Sequence, residues 1–415
     1  MQTTVSTTVC EKNRDRPCGV HKTDGKARRS DGVLRCCFSA DSGSTVPTVS
    51  NMTIPECLAA PDRRHGLSWR SWHNDHMASN FAPPVSIVVP VRNEQRFLAS
   101  SVAGIVGQGY PGPMEIILVV APSEDDTEQI AERLADGDER IRVIANPQGT
   151  TPKAMNLGVA ASTYDIIVRV DAHGELGPEY IATAVELLER TGAANVGGIM
   201  DAQGTTDFEK AVAAAYTSRL GLGGGSFHLK NSPEGPADTV FLGVYRKADL
   251  LAVGGFDPSF DRAQDWELNY RLRHSGREVW FSPRLKVTYR PRSDVKSLAT
   301  QFFHTGQWRR QVIRTHRDSA SLRYLAAPVT VVACAVGAIG GVAGIVRSAL
   351  KGRPSPLVAG FAVPAGYLGA MTAGSLLLKQ PLTPAVRARL PLVLTVMHMS
   401  WGAGFIVGLP APRTQ

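Results

Sequence analysis

The sequence predicts an open, mostly parallel α/β sheet flanked by helices and followed by transmembrane helices. Three features carry this expectation. From Val85 onward, short runs rich in Val and Ile alternate with helical stretches. Polar and acidic residues gather just after several of those runs. Three apolar stretches without Asp, Glu, Lys or Arg close the chain.

The first run, Val85-Ser-Ile-Val-Val-Pro-Val91, is continuous and β-branched, as a strand buried on both faces requires. A helix is expected from about Gln95 to Val106. Glu115-Ile-Ile-Leu-Val-Val120 is the second strand, and Asp125 to Leu134 the second helix. Ile141-Arg-Val-Ile144 is the third strand. The third helix, Pro152 to Ala161, carries proline in its first turn, where a missing N–H costs nothing. Asp165-Ile-Ile-Val-Arg-Val170 is the fourth strand and leads into Asp171-Ala-His173. Beyond it the pattern loosens. There is an Asp-rich loop from Asp257 to Asp265, a helix to His274, strands near Val279 and Val287, and a helix from Val295 to His316.

The closing stretches run from Leu325 to Val346, Leu357 to Leu378 and Leu390 to Leu409, each about the ~20 residues that cross a bilayer. With the α/β part cytosolic, Arg309, Arg310, Arg314, Arg317, Arg323, Lys379, Arg387 and Arg389 fall inside, and Arg347, Lys351, Arg353 and Arg413 outside. This bias predicts a multi-pass cell-membrane protein whose globular domain faces the cytosol and whose C-terminus lies outside.

The net charge of +8 asks for an anionic partner. The basic cluster from Arg309 to Arg323 precedes the first apolar stretch, where it suits membrane lipid headgroups rather than nucleic acid. Cys10, Cys18, Cys36, Cys37 and Cys57 lie near the start, Cys334 lies in an apolar stretch, and Val85 to Tyr324 has none, so that region needs no oxidising compartment. Residues 1–83 lack periodicity, a long apolar run and any Cys-x2-Cys pair. They are expected to be a disordered tail or a start assigned too far upstream, with Met77 a sensible true start. The expected organisation is an extension over 1–83, a globular domain over 84–320 and a membrane region over 321–415.

Open α/β sheets bind ligands beyond the carboxyl ends of their strands, so the residues there are the candidates. Asn93-Glu94 follows strand one. Asp171 and His173 flank one residue and can point to one side of an extended chain end. A carboxylate and an imidazole together can hold a divalent cation, Mn²⁺ or Mg²⁺, that neutralises a diphosphate leaving group; an isolated Asp-x-His is equally a plain loop. Asp265, in Gln264-Asp-Trp-Glu-Leu268, starts a helix, where a carboxylate caps the helix or takes a proton from a hydroxyl. Glu267 is the reserve base, on a different side of that helix. Lys153, at the mouth of the third helix, meets a phosphate or stands exposed. Gly223-Gly-Gly225 suits a mobile loop over a site or a plain connector. Gln307-Trp-Arg-Arg310 suits a bilayer interface and, compatibly, a place near a lipid phosphate.

Ser86-Ile-Val-Val-Pro-Val-Arg-Asn-Glu94, Arg169-Val-Asp-Ala-His173, Gly254-Gly-Phe-Asp257 and Gln264-Asp-Trp-Glu-Leu268, taken in order over about Val85 to Arg317, resemble the family 2 glycosyltransferases. Within that family the likeness is to the bacterial succinoglycan-biosynthesis branch. The resemblance implies a GT-A fold that binds a nucleotide-sugar donor, a UDP-sugar first, and inversion of the anomeric centre by one in-line displacement. It also implies roles. Glu94 contacts the base or ribose, and Asp171 holds the metal on the donor diphosphate, with His173 in place of the usual second Asp. Asp265 is the catalytic base.

Two departures from the family pattern matter. The turn after strand two reads Val120-Ala-Pro-Ser-Glu-Asp125, without the usual acid at its start, so Asp125 either substitutes at the base or merely opens the helix. Gln307-Trp-Arg-Arg310 lacks the Gln-x-x-Arg-Trp element of processive synthases, which favours addition of single sugars. The expected acceptor is a polyprenyl-linked saccharide or polysaccharide precursor at the cytosolic membrane face, with no nucleic-acid partner. The alternatives are a processive polysaccharide synthase, a nucleotidyltransferase and a non-catalytic membrane scaffold. The nucleotidyltransferase would need a Gly-rich loop that Val91-Arg-Asn-Glu-Gln-Arg96 lacks, and the scaffold would need neither Asp171 nor Asp265.

Overall fold

The structure is a computed structural model, and it describes residues 82–222, 226–228 and 232–410. The expectations for residues 1–81, Met77 among them, for the Gly223–Gly225 loop and for Arg413 lie outside the described residues.

Four parallel strands, β1 (Val85–Val91), β2 (Met114–Val120), β3 (Ile141–Ala145) and β4 (Ile166–Arg169), stand in the order β3-β2-β1-β4. The sheet continues through β5 (Glu175–Leu176), β6 (Asn195–Ala202), β7 (Gly235–Pro236), β8 (Phe241–Arg246) and β9 (Val279–Tyr289). Here β8 pairs antiparallel with β4 on one side and with β6 on the other, β9 runs parallel to β6, and β5 and β7 pair antiparallel with β9. The result is a mixed sheet of nine strands whose first half is wholly parallel.

Alternation along the strands divides the apolar core in two. Val85, Ile87, Val89 and Val91 face the helices α1 (Leu98–Val106), α2 (Thr127–Gly137) and α4 (Tyr180–Thr191), while α3 (Thr151–Ala161) lies on the other face. There Val88, Ile117 and Ile167 meet Met155 and Val159 of α3, Leu250 of α6 (Lys247–Ala252) and Leu268 of α7 (Gln264–His274). Both faces are covered, which is why these strands read as continuous apolar runs.

Two local readings are corrected. The first helix begins at Leu98 rather than Gln95, after a left-handed Asn93 (φ 54°) turns the chain away from β1. The two strands expected near Val279 and Val287 are a single β9. Its register with β6 jumps between Gly197↔Phe281 and Ile199↔Lys286, a bulge centred on Pro283, which cannot donate to the ladder.

A third core lies away from the sheet centre. It joins α5 (Asp207–Tyr216) and α8 (Val295–Thr315) to the closing helices α9 (Ala326–Lys351), α10 (Ala362–Leu377) and α11 (Pro384–Val407). Val386, Leu390, Val393, Leu394 and Met397 of α11 pack with Ala211 and Tyr216 of α5 and with Leu298 and Phe302 of α8. Close approach of α8 and α11 depends on glycine. A Cβ on Gly306 would come within 2.0 Å of the Trp401 carbonyl, and one on Gly404 within 1.9 Å of that of Phe303.

Three helical segments, Leu322–Lys351, Pro356–Leu377 and Pro384–Val407, are long and apolar enough to cross a membrane. Their extents depart from the apolar stretches. The third begins six residues before Leu390 and takes in Arg387. That guanidinium is satisfied by the carbonyls of Ser375 (2.8 Å), Leu376 (3.2 Å), Leu378 (3.0 Å) and Gln380 (3.1 Å), so it closes the end of α10. Ile339 of α9 is 69% and Leu377 of α10 79% exposed, so these helices turn apolar side chains outward, as a hydrocarbon environment demands.

Candidate active site

A cavity of about 750 Å³ opens at the carboxyl ends of all four parallel strands. Arg92 after β1, Ala121 after β2, Asn146 after β3 and Asp171 after β4 line one side of it. Residues 261–266, entering α7, and Gln301, Thr305, Trp308 and Arg309 of α8 form the opposite wall. Glu94, Asp171, His173 and Asp265 all line this cavity.

The turn before α7 is held from both ends. Asn156 of α3 donates to the Phe256 carbonyl (2.7 Å) and accepts from its N–H (2.8 Å), fixing the Gly254-Gly-Phe-Asp257 segment. Ala263 then adopts a left-handed conformation (φ 59°), an unfavourable one for a residue with a Cβ, and sets the direction in which Gln264 and Asp265 enter the cavity.

Arg169 organises the centre. It is 3% exposed, at the end of β4, and its Nε and Nη2 donate to Asp171 Oδ1 at 3.1 and 3.0 Å. Its Nη1 donates to Asp265 Oδ1. Burial works against the guanidinium charge, but the two carboxylates outweigh it and hold the Arg169 pKa above the usual arginine value. For Asp265, burial is the largest influence and raises the pKa, Arg169 pulls it back, and the net shift is upward. A carboxylate in this setting is a stronger base than an ordinary aspartate while Arg169 keeps it ionisable.

His173 Nδ1 lies 2.8 Å from Glu94 Oε1, and this hydrogen bond, ahead of burial, raises the imidazole pKa. Glu94 therefore orients the ring. Asp125 and Lys153 are not among the residues lining the cavity. Asp125 accepts from the N–H groups of Gln95 (3.3 Å) and Thr127 (3.1 Å) and from the Thr127 hydroxyl, so it ties the Glu94 loop to the start of α2. Its pKa is lowered, first by the Thr127 hydroxyl. Lys153 is half-buried in the first turn of α3, beside Thr150, Thr151 and Ala154, which do line the cavity. Glu267 is 1% exposed and faces away, paired with Arg271 (2.7 Å) and His316 (3.0 Å).

Sequence reasoning assigned no role to Arg169. The signal was present, since an arginine inside an apolar strand is buried only with acidic partners. Trp266 and the cavity wall contributed by α8 carried no such signal, because only the docking of α8 across the sheet ends brings them to the site.

Among the described residues, no three His, Cys, Asp or Glu side chains converge to hold a metal. Asp171 and His173 both reach the cavity, so a cation held there would take few protein ligands and complete its shell from phosphate oxygens and water. Mg²⁺-type sites in phosphate-binding enzymes are commonly built that way.

A sequence profile described as Glycosyl transferase family 2 matches residues 86–249. The chain is 30% identical over 329 residues to the succinoglycan biosynthesis protein ExoA of Rhizobium meliloti, covering 77% of this chain and 93% of that protein. It is 25% identical over 243 residues, 55% of this chain and 74% of the other, to a Methanococcus voltae enzyme. That enzyme's name is dolichyl N-acetyl-alpha-D-glucosaminyl phosphate 3-beta-D-2,3-diacetamido-2,3-dideoxy-beta-D-glucuronosyltransferase. Among solved structures, the mannosyltransferase PcManGT of Pyrobaculum calidifontis, in complex with GDP-Man and Mn²⁺, aligns over 81% of this chain and 92% of that one. The TM-score is 0.49 and the identity 17%. With the strands, the cavity at their carboxyl ends and the identity to ExoA taken together, the chain belongs to the family 2 glycosyltransferases and has their GT-A fold.

Proposed function

We propose that this glycosyltransferase moves one sugar, with inversion, from a nucleoside-diphosphate sugar, UDP-sugars being the first to test, onto a lipid-linked saccharide at the cytosolic face of the cell membrane. The observation that carries the proposal is the buried Arg169, which gathers Asp171 and Asp265 in one cavity at the sheet's carboxyl edge.

In this reading Asp265 accepts the proton of the acceptor hydroxyl as its oxygen bonds to the anomeric carbon. The bond from that carbon to the donor diphosphate breaks on the opposite side, and the nucleoside diphosphate leaves with the bonding pair. Asp171 and His173 are the residues that would hold a divalent cation at the donor diphosphate, with Glu94 orienting His173 and reaching the base or ribose. The cation, when bound, neutralises charge that builds on the leaving group. The names of the two relatives, one for succinoglycan biosynthesis and one for a dolichyl-linked sugar phosphate, support a lipid-linked or polysaccharide-precursor acceptor. The exposed apolar faces of α9 and α10 support a multi-pass membrane setting. The test incubates membranes containing the full chain with a panel of labelled nucleotide sugars. Label from one donor should enter the lipid-extractable fraction, and its absence with every donor overturns the lipid-acceptor reading.

A further inference from the structure

Arg309 of α8 lines the cavity, and among the described residues its buried Nη1 has no hydrogen-bond acceptor. Its guanidinium lies 4.5 Å from the Trp266 ring centroid and 4.6 Å from that of Tyr324, so two aromatic faces hold it. These contacts fix the plane of the group but accept none of its hydrogen bonds. The acid that acts on it from a distance, Asp238, is shared by Arg273 (3.5 Å) and Arg323 (3.7 Å). The two carboxylates at the centre of the cavity are held by Arg169. A cation buried without a countercharge is costly unless a ligand supplies one. Burial, the largest influence, accordingly pulls the Arg309 pKa below the usual arginine value.

The place of Arg309 selects the ligand. Trp266 follows the base candidate Asp265 directly, and Tyr324 lies in the turn Leu322–Leu325 that enters α9. Arg309 thus stands between the reacting carboxylate and the start of the first apolar helix, on the line that a lipid-tailed acceptor would follow. A planar guanidinium clamped by aromatic faces keeps its N–H edge free for bidentate contact with a phosphoryl group.

We propose that Arg309, held between Trp266 and Tyr324, binds a phosphoryl group of the lipid-linked acceptor. This rests on the lipid-acceptor reading above and assigns the residue that recognises the acceptor's head. The donor diphosphate is served elsewhere, at the ends of β1 and β4.

The test uses the full chain in detergent and measures binding of farnesyl diphosphate, farnesol, inorganic diphosphate and UDP to wild type, Arg309→Met and Arg309→Lys. Wild type should prefer farnesyl diphosphate to farnesol by at least about tenfold. Arg309→Met should abolish that preference by weakening farnesyl diphosphate about tenfold to a hundredfold, and inorganic diphosphate in parallel, with UDP unchanged. Arg309→Lys, which keeps the charge but not the planar fork, should fall between. The Tm of ligand-free Arg309→Met should hold or rise, because a partly buried charge with an unpartnered Nη1 is gone; a structural arginine would lower it. No preference in wild type, a preference that survives in Arg309→Met, or a loss that falls on UDP each overturns the proposal. In the labelled-sugar assay, wild-type KM for lipid acceptor in Arg309→Met sinks the role of Arg309 alone. Absence of label in lipid with the wild-type chain sinks the lipid-acceptor reading itself.

Discussion

Asp265 and Arg169 form an ion pair across 96 residues of sequence, and the same guanidinium holds Asp171. One buried cation therefore registers the end of β4 against the start of α7, two places that the chain order keeps far apart.

Asp265→Asn keeps the size and most contacts of the side chain but cannot accept the acceptor proton. Turnover should fall about 10²–10⁴-fold with donor affinity retained, read by steady-state kinetics and by binding of the donor nucleotide. Near wild-type turnover would remove Asp265 from the role of base.

Glu267 gives the opposite profile. It is buried against the half-buried Arg271 and His316 and lies off the cavity. Glu267→Ala should cost about 1–3 kcal/mol of stability by leaving Arg271 and His316 without their carboxylate partner, seen as a lowered Tm, with kcat per folded molecule little changed. A loss of kcat at unchanged Tm would make Glu267 part of the reaction.

Burial of Asp265, opposed by Arg169, predicts the pH dependence. A base works only when ionised, so activity falls as pH drops through the Asp265 pKa, which burial has raised above the ordinary aspartate value. The acid limb of kcat should therefore lie above the usual aspartate range. Arg169→Gln removes the cation that opposes the rise, so the limb should move to still higher pH. An acid limb at the same pH in both proteins would show that Asp265 is not the group that titrates.

The metal reading makes a separate demand. Activity should vanish in excess chelator and return best with Mn²⁺, since imidazole is a softer ligand than carboxylate. Asp171→Asn should raise the Mn²⁺ concentration needed for half-activity. Full activity in chelator would mean that the diphosphate charge is met by protein cations instead.

The closing helices are expected to be required for folding of the domain. Deleting residues 318–415 uncovers Ala211 and Tyr216 of α5 and Leu298 and Phe302 of α8, which α11 otherwise covers. The truncated chain should be insoluble or aggregated. Gly404→Val should lower Tm by driving α11 from α8, at a cost of about 1–3 kcal/mol or more, given the 1.9 Å approach to the Phe303 carbonyl. A soluble, donor-binding truncation would show that the domain's core is complete without α11.

By itself the sequence determined the parallel half of the sheet, because strands covered on both faces must be apolar throughout and are bounded by turn residues. It also marked Glu94, Asp171, His173 and Asp265 as cavity candidates, since functional side chains in such a sheet stand at strand and helix mouths. The mixed half was illegible for a physical reason. The pairing of β6 with β8 and β9 depends on long-range register and on a bulge at Pro283, neither of which leaves a periodic signal. The triad of Arg169, Asp171 and Asp265, the displacement of Asp125 into a loop-bracing role and the wall contributed by α8 were decided by tertiary structure alone. Each is a contact between segments whose approach is set by where apolar faces dock. A one-dimensional pattern states that a residue is buried or exposed, and only the docking of those faces states against what.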